Sequence, residues 1–353
     1  MKNSLKIYTI IILFLGYFNS IQADDAVPIH GFFDIDASYI GKENKSKFST
    51  GYLDFYLTKD LSDRINILID LVFETVDNTY TADLERVQIT YDVNEYLQIV
   101  SGKFHTPYGY WNTAFHHGLQ IQTSILRPKF LAFEDRGGIL PSHSVGFMAE
   151  GFINDFSYNA YVTSGSFIKK DLSRNNTVEG IITTSNGGDQ DGNKLFGLTL
   201  AYNMDETKIG IHSFYQTVNT FDNRSTNVFM YGAFVAMELE HLELYSELYL
   251  FNDKNILGST QDKYIQSGAF FAQLAYGYGR LKPYVRVETA HYNQDDFYFS
   301  SMSATTGKSY DRAALGLNYN IASDANIKFA VVANKDLHQD ANYDFLTQFA
   351  IRF

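Results

Sequence analysis

Four of the nine histidines fall in one stretch of the chain: His105, His116, His117 and His143. Two carboxylates, Glu134 and Asp135, lie in the same stretch. Imidazole is the commonest metal ligand and a carboxylate can complete a coordination shell, so this set has the chemistry to hold a divalent ion or to answer to pH. Two considerations weigh against it. Adjacent His116 and His117 point apart if the backbone is extended, and histidine also serves as a hydrogen-bonding side chain that carries no fixed charge. The reading preferred is structural or lining roles for the four, with no metal and no cofactor.

The same stretch holds three of the five prolines (Pro107, Pro128, Pro141), the only tryptophan (Trp111), and Tyr108, Tyr110, Phe115, Phe130 and Phe133. Proline lowers the entropy lost on ordering, and aromatic rings need a surface to bury against. The segment therefore reads as an ordered insert. Its cations Lys103, Arg127, Lys129 and Arg136 are offset by Glu134 and Asp135.

Composition excludes several classes. There are 28 Lys+Arg against 40 Asp+Glu, which argues against nucleic-acid binding, since that needs a basic face. The absence of cysteine removes disulfides, thiolate catalysis and Cys-ligated zinc. Ser142 and His143 have no sequence partner that would complete a catalytic triad, and no catalytic residue is assigned. At the start, Lys2 and Lys6 precede the apolar run Ile7–Phe18 and a short polar stretch ending at Ala23. That order is a secretory leader, taken as residues 1–23, and the apolar run is too short for a spanning helix.

The elements that position these residues are strands. In Arg64–Phe73, Ile65, Ile67, Ile69, Leu71 and Phe73 share one face, and Arg64, Asn66 and Asp70 take the other. His241–Leu250 repeats the pattern, with leucines opposite Glu243, Tyr245, Glu247 and Tyr249. Two-residue alternation is the strand period. Sixteen such segments follow, near 30–40, 49–60, 64–76, 82–92, 95–104, 143–153, 155–165, 193–203, 207–217, 227–239, 241–251, 265–278, 280–291, 311–321, 325–335 and 343–353. Most span ten to twelve residues, the length of a tilted strand that crosses a bilayer. Seven short turns alternate with eight longer connections, the longest running from His105 to Ser142. This predicts an all-β fold: one transmembrane antiparallel barrel of about 16 strands over residues 24–353.

Alternation assigns charges of both signs to the polar face. Cations include Arg64, Arg86, Lys282, Arg286, Arg312, Lys328 and Arg352, mostly late in the chain. Anions include Asp70 and Glu74 early, and Glu243 and Glu247 later. Such charges either set up a transverse field or pair and satisfy the wall.

The last strand, Tyr343-Asp-Phe-Leu-Thr-Gln-Phe-Ala-Ile-Arg-Phe353, ends in an aromatic residue with apolar residues at alternate positions. In this the chain resembles the Gram-negative outer-membrane porins. The resemblance implies passive diffusion of small hydrophilic solutes or ions, an outer-membrane lipid setting and a homotrimer. It also implies recognition of the strand ending at Phe353 by the barrel-assembly machinery. It further implies that the third long loop, 105–142, folds into the lumen as the constriction. Lys103, His105, Tyr108, Trp111, His116, His117, Arg127, Lys129, Glu134, Asp135 and Arg136 would then set selectivity. The segment Gly102–Gly118 is similar to porin-like proteins near the phosphate-selective group. That group relies on a dense basic ladder, which the mixed charges here do not reproduce. The alternatives are a substrate-selective channel with a site at the third loop, a barrel enzyme, or an adhesin.

Overall fold

The computed structural model describes residues 29–76, 79–116, 118–136, 138–170, 180–184, 191–257, 261–302 and 307–353. The leader assigned to residues 1–23 lies outside them. The strands are β1 (Ile29–Ile40), β2 (Lys45–Ser62), β3 (Ile65–Val76), β4 (Thr79–Asn94), β5 (Leu97–His105), β6 (His143–Ile153), β7 (Phe156–Ser164), β8 (Phe167–Lys170), β9 (Gly180–Thr183), β10 (Lys194–Met204), β11 (Thr207–Thr220), β12 (Ser225–Glu238), β13 (Leu242–Leu257), β14 (Tyr264–Tyr276), β15 (Leu281–His291), β16 (Tyr310–Ala322), β17 (Ala325–Asp336) and β18 (Asn342–Arg352).

Sixteen of these build a closed antiparallel wall in which every strand pairs with its neighbours in chain order. β7 passes directly to β10, and β18 returns to β1 through the register Phe32↔Arg352 to Ile40↔Asp344. Phe353 completes the seam: Gly31 and Phe353 exchange backbone hydrogen bonds of 2.9 and 3.0 Å. The predicted segments coincide with these sixteen strands. Several run longer than the expected ten to twelve residues, with 18 in β2 and 16 in each of β4 and β13. The surplus in β2 is the exposed stretch Lys45–Thr50, which extends as a ribbon and leaves only residues 41–44 as the connection from β1.

The wall is inside-out relative to a soluble sheet. On β15, Val285 and Val287 face outward and are about half exposed, whereas Arg286 and Glu288 between and beyond them are buried. On β13, Glu243, Tyr245, Glu247 and Tyr249 are buried, and Leu248 faces out. Buried charge costs free energy unless it is paired, and exposed aliphatic rows are costly in water. The second cost vanishes when the outer face meets lipid, and the first is met by pairing inside, as between Arg286 and Glu288 at 2.9 Å. Exposed aromatics sit at both strand ends, Phe48, Tyr80, Tyr264 and Tyr343 near the long loops and Tyr96, Phe152, Phe156 and Tyr278 near the turns. These are the interfacial girdles of a membrane barrel.

One connection departs from the sequence reading, which makes 166–192 an unbroken loop. β8 and β9 form a short hairpin within it, and β8 pairs in parallel with the end of β11 at Asn219↔Phe167. Ile168 and Ile182 are fully buried by this fold. Among the described residues there are two one-turn α-helices, α1 (Trp111–Ala114) in the third loop and α2 (Phe297–Ser300) in the seventh, and two 3₁₀ turns, Lys129–Leu131 and Glu134–Arg136, in the third loop.

Arginine placed on the outer face at mid-strand tests the lipid assignment. Ile211→Arg on β11, 59% exposed and away from the seam, should cost about 2–4 kcal/mol in reversible urea unfolding from lipid vesicles. A cost near zero would contradict an outward face in hydrocarbon.

Candidate functional site

The third loop, residues 106–142, enters the lumen and crosses it. Its throat is closed by Asn112, whose amide donates to the carbonyls of Thr106 at 3.0 Å and Ser142 at 2.9 Å. Thr106 N also donates to Ser142 O at 3.0 Å. Gly109, at φ +62°, turns the chain into α1. A Cβ there would collide with the Glu247 carboxylate and the Tyr249 hydroxyl, so only glycine allows this approach.

Beyond the turn the loop has little regular structure, so its backbone polar groups need partners from the wall. Side chains of the later strands supply them. His212 Nδ1 accepts from Gly109 N at 2.9 Å. Glu247 accepts from Tyr110 N at 3.1 Å and Trp111 N at 2.6 Å. Thr123 Oγ1 donates to Glu243 at 2.7 Å, and Lys129 N donates to Glu288 at 2.7 Å. The wall's cations meet the loop's carbonyls. Arg286 donates to Leu126 O at 2.5 Å, and Lys328 to Leu119 O and to Ser124 O. At the far end Gln120 donates to Ser323 O in the β16–β17 turn at 3.1 Å, so the loop reaches the turn side of the barrel.

Apolar packing fixes the same path. Trp111, Phe115, Phe130 and Tyr108 are buried with Tyr245, Tyr249, Phe251 and Phe271 of β13 and β14. Trp111 meets Phe271 edge-on at 5.5 Å between centroids. From above, Tyr298 of α2 donates to Ile139 O, and Asp296 caps α2 by accepting from Tyr298 N at 2.9 Å. On the opposite wall, Phe133 packs edge-on to Tyr52 and Arg136 pairs with Glu74 at 2.8 Å.

The wall charges inferred from alternation are therefore used in specific contacts. Arg86 pairs with Asp70 at 2.8 Å, and Lys282 with Glu243 at 3.0 Å. Arg286 and Arg312 both meet Glu288, at 2.9 and 3.6 Å. Arg352 pairs with Asp324 in an exposed turn at 2.7 Å. Arg64 lies in the exposed turn between β2 and β3.

Among the loop residues singled out from sequence, His105, Tyr108, Trp111, His116, Arg127, Lys129 and Glu134 all sit within the lumen assembly, and His117 lies outside the described residues. Asp135 belongs to the 3₁₀ turn Glu134–Arg136. Lys103 donates to Leu84 O at 2.7 Å. Arg127 donates to Asn112 Oδ1 at 3.1 Å and lies 3.9 Å from the Phe133 ring centre, and burial pushes its guanidinium pKa down. Burial likewise lowers the Lys129 pKa, although Asp336 opposes it at 3.2 Å. Burial works against the charge of Glu134, but the paired His143 holds its carboxyl below the ordinary range.

Sequence reasoning missed Asn112, His212 and Glu85. The first two carry no spacing signal of their own, although alternation along β11 turns His212 inward. Glu85 sits in a β-bulge, where the register steps from Asp70↔Arg86 to Leu71↔Leu84. The extra residue re-aims its side chain inward beside that of Arg86, which strict alternation forbids.

No family model matches the sequence, and no curated protein matches it. Solved structures do match in shape. OmpT of Vibrio cholerae in its in-vitro folded trimer form superposes with a TM-score of 0.63 at 11% identity, covering 93% of this chain and 99% of that one. An anion-selective porin from Comamonas acidovorans gives 0.60 at 12% identity over 93% and 98%. Salmonella typhi OmpF in complex with daunomycin gives 0.60 at 11% over 94% and 99%. The chain has the fold of the 16-stranded porins.

Removing the Glu247 carboxylate leaves two loop N–H groups and the Tyr249 hydroxyl without their acceptor. Glu247→Ala should destabilise the barrel by about 2–4 kcal/mol in thermal or urea unfolding, and Glu247→Gln, which keeps one oxygen, by less. Equal losses for the two would show that the carboxylate does not dock the loop.

Proposed function

We propose that this chain is an outer-membrane channel through which small hydrophilic solutes or ions diffuse passively. The observation that carries the reading is the closed inside-out wall with an ordered loop drawn into its lumen: an apolar belt suits lipid, and the polar interior suits an aqueous path. Residues 1–23 act as the export leader, and 24–353 form the barrel. The loop 105–142 sets the constriction, with Lys103, His105, Arg127, Lys129 and Glu134 among the side chains that tune it. Such a channel needs no catalytic residue.

Charge at the two mouths gives the path a direction of preference. On the loop side, Lys42, Lys129 and Lys308 line a cavity of about 550 Å³ with Asp336 as the one carboxylate. On the turn side, Arg280, Lys282 and Arg352 line a cavity of about 460 Å³ beside the loop tip at Gln120–Thr123. Glu243 and Asp324 offset two of those three cations. Cations outnumber anions in the linings of these two cavities, which favours small anions there.

The assembly reading has its own support. An apolar groove of about 590 Å³ lies on the outer face between β1–β2 and β16–β18, lined by Tyr39, Phe48, Leu315, Phe329 and Phe345 among others. A second copy in a homotrimer would cover it, as the trimer form of the similar Vibrio cholerae structure suggests. Phe353, at the seam, is the residue we assign to recognition by the barrel-assembly machinery.

Planar-bilayer recording tests the reading. Refolded protein should show steady open conductance, smaller than that of a variant with residues 110–137 replaced by a short Gly-Ser linker. In a KCl gradient the reversal potential should take the sign of chloride preference. A silent inserted barrel would sink the channel, and a potassium sign would sink the anion preference.

A further inference from the structure

Among the described residues, one group of side chains has the makings of a metal centre: His105, His116 and His143, whose ligand atoms lie within 4.8 Å of one another. Three parts of the fold converge to make it. His105 ends β5 and His143 begins β6, and the two are paired across the ladder. His116 follows α1, the turn fixed by Asn112, and its ring stacks on His105 with centroids 3.6 Å apart. His116 and His143 are almost completely buried. The expectation that His116 and His117 point apart involves His117, which lies outside the described residues; His116 itself follows the helical turn and faces the other two rings.

The hydrogen bonds orient these rings as a metal site requires. His116 Nδ1 lies 3.1 Å from Asn112 O, and His143 Nδ1 lies 3.3 Å from Glu134 Oε2. In both rings the outer nitrogen is engaged by an acceptor, which directs the lone pair of Nε2 inward. The two Nε2 atoms face each other at 2.7 Å. Glu85, turned in by its bulge, contacts His143 Nε2 and lies 3.9 Å from His116 Nε2. In a tetrahedral zinc site with bonds of about 2.0–2.1 Å, neighbouring ligand atoms stand roughly 3.4 Å apart. Two imidazoles sharing such an ion have ring centres roughly 5 Å apart; His143 already stands 4.5 and 5.7 Å from His116 and His105, and His105 must slide off its stack on His116 to complete the set.

Charge and access agree. A cavity of about 240 Å³ reaches His143, and its lining includes four carboxylates (Glu74, Asp83, Glu85, Glu134) against two lysines, Lys103 and Lys169. An excess of anions around a cavity leading to three imidazoles favours a cation. Imidazole with carboxylate at this coordination number suits a borderline first-row ion better than Mg²⁺ or Ca²⁺, which prefer six or more oxygens.

We propose that His105, His116 and His143, with Glu85 as fourth ligand, bind a divalent first-row transition cation, Zn²⁺ by geometry. Glu134 is a positioning residue that acts through His143 Nδ1. A bound ion would tie the ends of β5 and β6 to the residue after α1 and so clip the throat of the third loop to the wall.

The test uses the full barrel, refolded without a polyhistidine tag and stripped with chelator, and the metals alone as probes. Calorimetry with ZnCl₂ should show one equivalent per chain. CoCl₂ should give the intense visible absorption of tetrahedral Co²⁺, displaced by equimolar Zn²⁺. His143→Gln and His116→Gln should each weaken Zn²⁺ binding by at least about 100-fold, and Glu134→Gln by about 10–100-fold. His241→Gln, at a distant exposed position, should leave it unchanged. Heat-modifiable gel migration shows which variants have folded, and the wild-type cobalt spectrum needs no variant at all. Absence of saturable Zn²⁺ binding to the wild type, a weak octahedral cobalt spectrum, or binding that survives both histidine substitutions would each overturn the assignment. None of these readouts depends on conductance, so the channel reading is tested separately.

Discussion

An irregular segment drawn into a barrel must find a partner for every backbone N–H and C=O it carries, because it has no ladder of its own. Much of the interior follows from meeting that need for residues 106–142. Acidic side chains of β13 and β15 accept from the loop's N–H groups, and basic side chains of β15 and β17 donate to its carbonyls. The wall's charges thus act as a fitted cradle. Because Glu288 receives Arg286 and Arg312 while also accepting from Lys129 N, no charge in that cluster is buried without a partner.

The aromatic residues add the second constraint. Trp111 packs edge-on against Phe271 and Tyr245 of the wall, backed by Phe115 of the loop, which adds apolar burial to the polar docking. The seventh loop then seals the arrangement from above, with Phe299 stacked on Tyr292 at 4.5 Å and Tyr298 reaching Ile139. The lumen therefore contains a packed core. The wall's charges form local pairs rather than a continuous charged ladder.

Much of this was legible in the sequence, for a physical reason. Side-chain period two is a local property, so every wall strand announces itself, and inward residues such as Glu243, Glu247 and Arg286 follow from counting. The bounds of the third loop were legible too, because proline and aromatic content break the alternation at His105 and it resumes at His143. What could not be counted were contacts made by folding back. The bulge that turns Glu85 inward breaks the period at one residue without changing composition. The hairpin of β8 and β9 is too short to show a pattern. The histidines converge only because β5 and β6 are neighbours across a long insertion, and whether wall charges oppose or pair depends on where the loop lies.

The central claim, that the third loop is packed inside the barrel, meets its most direct test in the chain's only tryptophan. Trp111 is 1% exposed, between α1 and the β13–β14 wall. Intrinsic fluorescence of the folded barrel, titrated with acrylamide and iodide, reports on it without labelling. The account predicts blue-shifted emission that neither quencher reaches until the barrel unfolds. Red-shifted emission, quenched readily in the folded state, would place the loop in solvent and contradict the account.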